Sequence, residues 1–438
     1  MFKAYDIRGI YPSEITPEIA EKIGYAYGCF IEDNGYPKKI IIGRDIRNGS
    51  DILMDAFSKG ALQKVEVDVL GMCTTPSLAL LTAKKNYGGG VMVTASHNPK
   101  IYNGFKLLGK NAKPIGESSG LLEIKKIYEN IVAIPKKEHV LKPMPILSDY
   151  TNTLYRLLRS EPLKKYSVVL DPGNSVSSIT ATPLFKKLNI SYTLINIPLD
   201  GNFPDRSPNP LDGVSKLQQT VLRQKAAIGF AFDGDGDRLI VVDDTGRVIN
   251  SSIIAQVLAL HYLDIKRYAK IALDVRMSKA ATEFIYEQHG DVVLSKTGHV
   301  NMKRTMIQNN AIFGAESSGH YYHRQIHYID DAVYTALLIL LVMNRENKKL
   351  SELVKMCKSY EMIYADLNVK DKDAALIKIR TIYTNGRMDF LDGIRIDYPD
   401  WRAVIRPSNT EDLLRCMIES SDKKIVTQVF EDLKRILL

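Results

Sequence analysis

The sequence of 438 residues predicts an α/β protein with three successive α/β units and a smaller α+β unit at its C-terminal end. Strand-like and helix-like segments alternate through residues 1–358, and this alternation restarts twice. Residues 359–438 change to the order helix, strand, hairpin, strand and helix. A chain of this length corresponds to about three domains of about 150 residues, or to four smaller domains.

The composition is that of a soluble globular protein, with 45% hydrophobic and 25% charged residues. It excludes a largely disordered chain, a collagen-like repeat and a small disulfide-rich protein. The 59 Lys and Arg against 50 Asp and Glu give a formal net charge of +9, which favours acidic partners such as nucleic acids, anionic membranes or phosphorylated small molecules. Because the basic residues are spread along the chain and no nucleic-acid-binding motif occurs, we expect no nucleic-acid partner.

The sequence also predicts a cytoplasmic protein that does not enter a membrane. The four cysteines lie far apart and form no CxxC pair, which is typical of free thiols in a reducing compartment. The N-terminus lacks the apolar core of a signal peptide. The longest apolar run, 336–343, is much shorter than the roughly 20 residues that span a bilayer.

The first α/β unit begins with a helix that Thr16 can cap, with Pro17 at its first position and Gly35 after its end. The isoleucine run 40–42 then predicts a strand that is buried on both faces. Two further elements are expected here, a helix over 50–63 and a strand over 64–70.

Two later cycles repeat this order, and linker and turn segments separate them. The expected elements are a strand over 166–170, a helix over 177–188 and a strand over 192–196, then a strand over 271–273, a helix over 278–288 and a strand over 292–294. Prolines and lysines within 135–145 indicate a linker after the first unit. A Thr245-Gly246 turn lies near the second boundary, and Ser359 marks the third. In the last unit we expect a hairpin around Asp400 and a C-terminal helix from about Asp422.

Three apolar strands each run into a polar loop. They are 90–93 followed by 94–99, 228–232 followed by 233–238, and 311–313 followed by 314–320. Loops at strand ends are where α/β folds commonly bind ligands. We therefore expect the functional side chains in these three loops.

The second loop carries the strongest chemical signal, because Asp233, Asp235 and Asp237 alternate with glycines. Three carboxylates this close repel each other unless a cation holds them, and oxygen ligands suit Mg²⁺ or Ca²⁺. An EF-hand is the obvious rival, but Arg238 stands where that loop needs glycine and Asp244 stands at its twelfth position. A polar turn without a metal is the remaining alternative.

The first loop holds Ser96 beside His97, and Lys106 follows a few residues later. A serine in such a loop is more often a cap or turn residue than a nucleophile. Lys106 is either a surface charge or a proton-transfer group, the latter if neighbouring cations lower its pKa. These residues alone do not decide between the structural and the catalytic interpretation.

Near the C-terminus, hydrogen-bond donors cluster in one segment that contains Arg406, Ser408, Asn409, Thr410 and Arg415. A Ser-Asn-Thr turn can be purely structural. The flanking arginines favour a cradle for an anion, because a guanidinium can bind a phosphate through two hydrogen bonds.

His320, His323 and His327 have a spacing that suggests one helical face, and a zinc site is the alternative that this raises. No other cysteine or histidine lies within 15 residues of the cluster, and His320 follows an apolar strand. We therefore interpret His320 as a hydrogen-bonding residue of the third loop.

These motifs, in this order, resemble those of the α-D-phosphohexomutase family, especially its phosphomannomutase/phosphoglucomutase branch. The resemblance covers nearly the whole chain, from Tyr5-Asp6-Ile7-Arg8-Gly9 to the segment 406–411. It implies three tandem domains of similar α/β topology with mixed sheets and a smaller C-terminal α+β domain, arranged around a central cleft. The expected boundaries are 1–143, 144–249, 250–358 and 359–438.

The resemblance also implies roles for individual residues. Ser96 would be carried as a phosphoserine, and its phosphate would complete an Mg²⁺ site with Asp233, Asp235 and Asp237. The residues implied in proton transfer or charge stabilisation are Arg8, His97, Lys106, Arg238 and His299. The residues implied in binding the sugar are Tyr5, Glu316, Ser318 and His320, of which Glu316 and Ser318 would grip the hydroxyls O3 and O4. Those implied in binding the phosphate that is not transferred are Arg406, Ser408, Asn409, Thr410 and Arg415.

The implied activity is that of an isomerase, an intramolecular phosphotransferase that interconverts hexose 1-phosphates and hexose 6-phosphates. The phosphoserine enzyme would use one Mg²⁺ ion, with glucose 1,6-bisphosphate or mannose 1,6-bisphosphate as activator and intermediate. A grip through O3 and O4 does not distinguish glucose from mannose, which differ at C2. The expected partners are small phosphosugars, and the protein is expected to be a monomer or a weak dimer.

Other functions stay open at this point. A phosphoglucosamine mutase would differ in the sugar that turns over, and a non-catalytic phosphosugar-binding relative would be expected to lose the serine, an aspartate or an arginine, all of which are present here. A metal-dependent phosphatase fits less well, because a second phosphate cradle serves to retain an intermediate. Two departures from the family pattern occur. Asp412 replaces the proline usually found after Thr-Glu, and Asn174-Ser175 replaces a usual Asn-Gly in the second domain, where it is expected to lie outside the site.

Overall fold

A computed structural model describes residues 1–135, 141–159, 163–408 and 412–437. The chain divides into two compact units. The first unit consists of Met1–Ile249 with Ser318–Leu353, and the second unit consists of Asn250–Ser317 with Val354–Leu438.

The first part of the first unit is a six-stranded mixed sheet with helices packed on it. Its elements are β1 (Ile7–Ile10), α1 (Pro17–Asp33), β2 (Lys39–Arg44), α2 (Ser50–Ala61), β3 (Glu66–Met72), α3 (Thr75–Lys84), β4 (Gly89–Val93), β5 (Tyr102–Leu108), α4 (Leu121–Glu129) and β6 (Lys142–Pro143). The strand order is β1-β5-β4-β2-β3-β6. Strand β2 is parallel to β3 and β4, whereas β5 is antiparallel to β1 and β4.

The sequence signals at the start of this sheet act as predicted. Thr16 caps α1, because its Oγ1 accepts the N–H of Ile19. The side chains of 40–42 are fully buried in β2, which lies between two other strands. Helices α1 and α2 bury their apolar faces in one hydrophobic core with residues of β2, β4 and β5. This core fixes the sheet from which the serine loop projects.

The second part of the first unit is a five-stranded mixed sheet. Its elements are α5 (Leu147–Leu158), β7 (Ser167–Asp171), α6 (Ser177–Lys187), β8 (Ser191–Leu194), α7 (Ser215–Gln224), β9 (Ile228–Phe232), β10 (Leu239–Asp243) and β11 (Val248–Ile249). The order is β11-β10-β9-β7-β8, with β7 parallel to β8 and β9, and β10 antiparallel to β9 and β11. The aspartate loop is the connection between β9 and β10.

The third region contributes to both units. Its elements are α8 (Ser251–Ile265), β12 (Lys270–Asp274), α9 (Lys279–Glu287), β13 (Asp291–Ser295), α10 (His299–Asn309), β14 (Phe313–Ala315), β15 (Tyr321–His323), β16 (Ile329–Asp330), α11 (Ala332–Glu346) and α12 (Leu350–Met356). Strand β12 is parallel to β13 and β14, and β15 is antiparallel to β16. The expected strand over 311–313 is shifted to β14, because Asn310 ends α10 in a left-handed conformation and the Ala311 N–H still bonds back to Met306.

The C-terminal part of the second unit is an all-antiparallel sheet with two helices. Its elements are β17 (Glu361–Asn368), α13 (Lys372–Ile382), β18 (Arg387–Asp389), β19 (Ile394–Asp397), β20 (Trp401–Pro407), β21 (Leu413–Ser420) and α14 (Lys423–Leu437). The strand order is β17-β21-β20-β19-β18, and β19 and β20 form the expected hairpin around Asp400. The predicted fold class, three α/β domains and a smaller α+β domain, is confirmed. The expected order for 359–438 was wrong at its start, because strand β17 precedes the first helix.

The longest apolar run of the sequence is part of α11, whose residues Ala332 to Met343 are all buried in the protein. Among the residues that the structure describes, no helix is both long and apolar enough to cross a membrane. The run is therefore explained by packing inside the fold.

Candidate active site

The serine loop follows β4 and places Ser96 at a buried position. The amide N–H of Ser96 donates to Thr94 Oγ1 at 2.8 Å. Its φ of 53° lies in the left-handed region, which a serine adopts only when its surroundings hold it there. Ser96 Oγ lies 3.3 Å from Asp233 Oδ2 and 3.2 Å from His97 Nδ1. The serine loop and the aspartate loop, predicted from separate motifs, are thus adjacent.

The aspartate loop buries the side chains of Asp233, Asp235 and Asp237. Asp233 Oδ1 accepts the N–H groups of Gly236, Asp237 and Arg238 at 2.9, 3.1 and 3.2 Å. This oxygen therefore fixes the shape of the loop, as carboxylates do when they bond to successive backbone amides. The loop continues into β10 and not into a helix, which agrees with the rejection of an EF-hand.

Gly234 brings the two loops into direct contact. A Cβ atom at this position would lie 2.3 Å from the carbonyl oxygen of Ser96, which is closer than any carbon and oxygen atoms can pack. The absence of a side chain at Gly234 is therefore what permits the serine loop to approach the aspartate loop.

Lys106, on β5, extends into the aspartate cluster. Its Nζ lies 2.6 Å from both Asp235 Oδ2 and Asp237 Oδ2. Burial alone would lower the pKa of Lys106, but the two carboxylates raise it above its ordinary value. Burial alone would raise the pKa of Asp237, but Lys106 holds it well below its usual range. The condition set for proton transfer by Lys106, a pKa lowered by neighbouring cations, is thus not met, because its bonded partners are carboxylates.

The pKa of Asp233 is shifted in the opposite direction to that of Asp237. Burial, followed by the charges of Asp237 and Asp235, raises its pKa well above the usual value, although Arg238 opposes this shift. A cation bound among the three carboxylates would remove this penalty by favouring their ionised forms.

His97 lies close to the cationic side chains of Arg238 and Arg8. Arg238 Nη2 lies 3.4 Å from His97 Nε2. Burial, together with the charges of Arg238 and Arg8, lowers the pKa of His97 to about 2, so this imidazole is neutral at physiological pH. Arg8 is oriented by two bonds, from Nη1 to Asn98 Oδ1 at 2.8 Å and from Nη2 to Asp6 Oδ2 at 2.7 Å. The partly buried Tyr5 lies just before this segment.

His320, His323 and His327 do not share a helical face. His320 Nε2 lies 3.3 Å from Asp237 Oδ1, and its Nδ1 lies 2.8 Å from Ser318 Oγ. His323 belongs to β15 and hydrogen-bonds to a threonine of α11, while His327 is exposed. The helical spacing was therefore misleading and the zinc cluster is not formed, whereas the expectation that His320 makes hydrogen bonds in this loop is met.

The three aspartates fit a divalent cation. One carboxylate oxygen from each of Asp233, Asp235 and Asp237 can be chosen so that all three lie within 4.8 Å of one another. Asp235 Oδ1 is buried, and it has no hydrogen-bond partner among the described residues, a costly arrangement unless an ion satisfies it. His320 and Asp330 form a second possible set with Asp237. The donor set of three carboxylates suits a hard cation.

In the second unit, Glu316 bonds to the turn that precedes His299. Glu316 Oε1 accepts the N–H of Gly298 at 2.7 Å, and α10 begins at the next residue, His299. Gly298 has a φ of 108°, which glycine tolerates and other residues do not. The buried carboxylate of Glu316 therefore fixes the turn that presents His299.

Arg406, on β20, is tied to the same turn through Asp392. The Arg406 Nε lies 3.0 Å from Asp392 Oδ1, and Asp392 Oδ2 accepts the N–H of Thr297 at 3.1 Å. Arg415 stands directly opposite Arg406 in the antiparallel pair of β20 and β21, so both arginines point to the same face of the sheet.

The rest of the predicted phosphate cradle is only partly described. Ser408 is buried, and its carbonyl oxygen accepts a hydrogen bond from Lys372 Nζ at 3.1 Å. Asn409 and Thr410 lie outside the residues that the structure describes. The departure Asp412 pairs with Lys372 at 3.5 Å.

Three residues that support the site were not predicted. Thr75 N–H donates to the carbonyl oxygen of Asp235 at 2.9 Å, and Arg47 bonds to the serine loop from the end of the neighbouring strand. Ser175 Oγ donates to the carbonyl oxygen of Asp233 at 3.0 Å, so the expectation that Ser175 lies outside the site is wrong. The position of Arg47 just after β2 was the available signal, because β2 and β4 end at the same edge of the sheet.

Comparison with known proteins gives the same order of domains. The chain matches all four models of phosphoglucomutase/phosphomannomutase: alpha/beta/alpha domain I over 1–134, domain II over 148–246, domain III over 250–360 and the C-terminal domain over 362–436. Together these matches cover almost the whole chain.

Individual relatives are similar over nearly their full length. The chain is 33% identical to a phosphomannomutase of Methanocaldococcus jannaschii, over 100% of this chain and 97% of that protein. It is 34% identical to a phosphomannomutase of Escherichia coli K12, over 96% and 94%. The crystal structure of a phosphoglucomutase/phosphomannomutase family protein from Burkholderia thailandensis superposes with a TM-score of 0.89 at 28% identity, over 99% and 96%. The chain therefore belongs to the phosphoglucomutase/phosphomannomutase family.

Proposed function

We propose that this chain is a phosphohexomutase that interconverts hexose 1-phosphates and hexose 6-phosphates through a phosphorylated Ser96. The observation that carries the proposal is the distance of 3.3 Å between Ser96 Oγ and Asp233, one of three buried carboxylates that fit a divalent cation. Membership of the family and the phosphomannomutases among its relatives support the same activity.

The proposed reaction consists of two phosphoryl transfers, the first from Ser96 to the sugar and the second from the sugar back to Ser96. In the first transfer, the bond from phosphorus to Ser96 Oγ breaks while a bond forms to the free hydroxyl oxygen of the sugar phosphate. The sugar hydroxyl loses its proton, and Ser96 Oγ gains one to become a free hydroxyl. The resulting 1,6-bisphosphate turns over and returns its other phosphoryl group to Ser96. Phosphoryl transfer needs aligned atoms and positive charge around the moving group, with little covalent work by the protein.

The side chains around Ser96 suit these tasks. The neutral imidazole of His97 is 3.2 Å from Ser96 Oγ and can accept a hydrogen bond from the free serine hydroxyl, which orients it. Lys106, Arg238 and Arg8 place three cationic side chains in the same part of the first unit. Asp233, Asp235 and Asp237 would hold one Mg²⁺ ion, which when bound supplies positive charge to the phosphate oxygens.

The substrate-binding part of the proposal concerns the third and fourth domains. We assign the sugar hydroxyls to Glu316 and Ser318, and the phosphate that is not transferred to Arg406, Ser408 and the residues that follow it. A grip on O3 and O4 accepts both glucose and mannose phosphates. Phosphoglucosamine mutase is the second candidate, because the same Glu-x-Ser-Gly-His pattern occurs in that branch.

The remaining expectations belong to this proposal as well. We place the domain boundaries at 143/144, 249/250 and 358/359, and we propose a cytoplasmic location, with which the four free cysteines agree.

A coupled assay with Mg²⁺ and a 1,6-bisphosphate activator tests the proposal. It compares mannose 1-phosphate, glucose 1-phosphate and glucosamine 1-phosphate under identical conditions. Comparable turnover of the first two is expected, whereas turnover of glucosamine 1-phosphate alone would establish the second candidate. Absence of turnover on all three would reject both.

The variant Ser96→Ala tests the role of the serine. We expect turnover to fall by at least about 10⁴-fold, because the group that carries the phosphoryl is removed. The exposed Ser13→Ala is the control and should match the wild type. Intact-mass measurement after incubation with the bisphosphate should show one phosphoryl group on the wild type and on Ser13→Ala, and none on Ser96→Ala. Near-normal turnover by Ser96→Ala would refute the phosphoserine mechanism.

A further inference from the structure

Arg47 is a completely buried arginine whose guanidinium faces the serine loop. Its Nη2 donates to the carbonyl oxygens of Ser96 and Asn98, both at 2.6 Å. Its Nη1 donates to the carbonyl oxygens of Pro99 and Tyr102 at 2.9 and 3.1 Å. One side chain thus binds four backbone carbonyls across the whole loop between β4 and β5.

A second set of bonds reaches the same loop from Asp45. Asp45 Oδ1 accepts the N–H of Arg47 at 2.9 Å and the hydroxyl of Ser50 at 2.8 Å. Asp45 Oδ2 accepts the hydroxyl of Thr94 at 2.6 Å and lies 3.2 Å from Arg47 Nε. Thr94 Oγ1 in turn accepts the N–H of Ser96. The two backbone groups of Ser96 are therefore held separately, the N–H through Thr94 and the carbonyl by Arg47.

This arrangement uses properties that only arginine has. The guanidinium presents five donors in one rigid plane, whereas a lysine ammonium has three donors on a flexible stem and cannot serve four carbonyls at once. The ring of Phe203 lies 5.3 Å from the Arg47 guanidinium carbon and covers it. Buried cations of this kind are costly, so the bonds to the loop and to Asp45 are needed to keep Arg47 inside.

The backbone conformation of Ser96 depends on the bonds that Arg47 makes to the loop. The left-handed φ of Ser96 is unfavourable for a serine and would relax without external bonds. Its carbonyl oxygen is the atom that both Arg47 and the backbone of Gly234 approach. Rotation of the peptide group that contains the Ser96 carbonyl would move Ser96 Oγ away from Asp233.

We propose that Arg47 is a positioning residue that holds the loop of Ser96 in the conformation required for phosphoryl transfer. This inference rests on the proposed function, in which Ser96 carries the phosphoryl group. Arg47 acts through the backbone of the loop and reaches neither the sugar nor the cation in this assignment.

The first test compares Arg47→Lys with Arg44→Lys. Arg44 is the matched control, because it is the last residue of β2, three positions before Arg47, and its guanidinium donates to the carbonyl oxygen of Asp45 and not to the serine loop. For Arg47→Lys we expect kcat to fall by about 100-fold while KM changes by less than about 3-fold, since misplacing the reacting atoms by about 1 Å costs this much. Arg44→Lys should remain near the wild type.

Hydrogen–deuterium exchange gives a readout that does not depend on activity. In Arg47→Lys, faster exchange should be confined to the amides of 94–103, with the rest of the first unit unchanged. Wild-type kcat in Arg47→Lys, or exchange that rises equally throughout the first unit, would overturn the proposal, because Arg47 would then be dispensable or would support the fold as a whole.

A second variant keeps the test decisive if Arg47→Lys does not fold. Thr94→Val conserves the volume but breaks the link between Asp45 and the N–H of Ser96, and it should show a smaller loss of the same kind, in kcat and not in KM. Unchanged kcat in Thr94→Val together with an unfolded Arg47→Lys would reject the inference. Wild-type protein that takes up no phosphoryl group would reject the proposed function instead, and the exchange measurement would still decide whether Arg47 holds the loop.

Discussion

The contact between Gly234 and the serine loop makes the variant Gly234→Ala a severe test of the site. The added methyl group would lie 2.3 Å from the carbonyl oxygen of Ser96 and 3.3 Å from Pro208 Cβ. An ordinary contact between such carbon and oxygen atoms is about 3.4 Å, so one loop must retreat by about 1 Å. Neither loop moves easily, because the Ser96 carbonyl is bonded to Arg47 and Asp233 accepts three backbone amides.

The expected losses follow from this displacement. Overpacking a buried contact costs about 1–3 kcal/mol of stability, and moving Ser96 by about 1 Å from the aspartates lowers kcat by about 100-fold. The variant should therefore remain folded at room temperature while losing most of its turnover. The free energy of unfolding and the kinetic constants are measured on the same preparation.

Gly109→Ala is the matched control, because this glycine is also buried but the nearest atom to an added Cβ is a ring carbon of Tyr36 at 3.4 Å, an ordinary contact. It should retain wild-type kcat. If Gly234→Ala also keeps kcat within about 3-fold of the wild type, the two loops do not need their present separation, and the reasoning that links this contact to phosphoryl transfer fails.

Two further predictions concern the second domain and the start of α11. Ser175→Ala removes a donor to the carbonyl oxygen of Asp233. It should weaken the binding of Mn²⁺ by about 5-fold, because one hydrogen bond that holds the aspartate loop is lost. Electron paramagnetic resonance measures this affinity, and an unchanged value would contradict the prediction. Burial raises the pKa of Asp331 to about 6 from 3.8, so the stability that its protonated form contributes is present at acidic pH and lost as the pH rises through about 6. Between pH 5 and pH 8, the free energy of unfolding of Asp331→Asn should therefore rise by about 1.4 kcal/mol relative to that of the wild type. Parallel curves of the free energy of unfolding against pH would contradict this.

The sequence predicted the order of the elements well where local signals agree. The cap at Thr16 and the isoleucine run 40–42 mark a helix and a buried strand that the structure contains. The strand expected over 311–313 was displaced, because the apolar pattern did not show that the end of α10 uses Asn310 and Ala311. Element boundaries depend on such helix ends, which apolar periodicity does not record.

The candidate site was predictable to the extent that it consists of local motifs. Ser96 and the three aspartates stand in recognisable loops, and the structure brings those loops together. Arg47 and Ser175 escaped prediction because their partners are distant in sequence and adjacent only through the order of the strands and the packing of two domains. The charge environment of Lys106 likewise depends on carboxylates more than a hundred positions away.

The bonds of Arg47 have a consequence for how related chains are judged. Asp45 and Arg47 precede the loop they hold by about fifty positions. A Ser-His-Asn motif therefore identifies the proposed phosphate acceptor but does not show that its loop is held. A chain that keeps the serine and the three aspartates but replaces this Asp-x-Arg pair would pass a motif search and still transfer phosphate poorly. Under the proposed role of Arg47, candidate mutases should therefore be screened for this pair together with the serine before they are assayed.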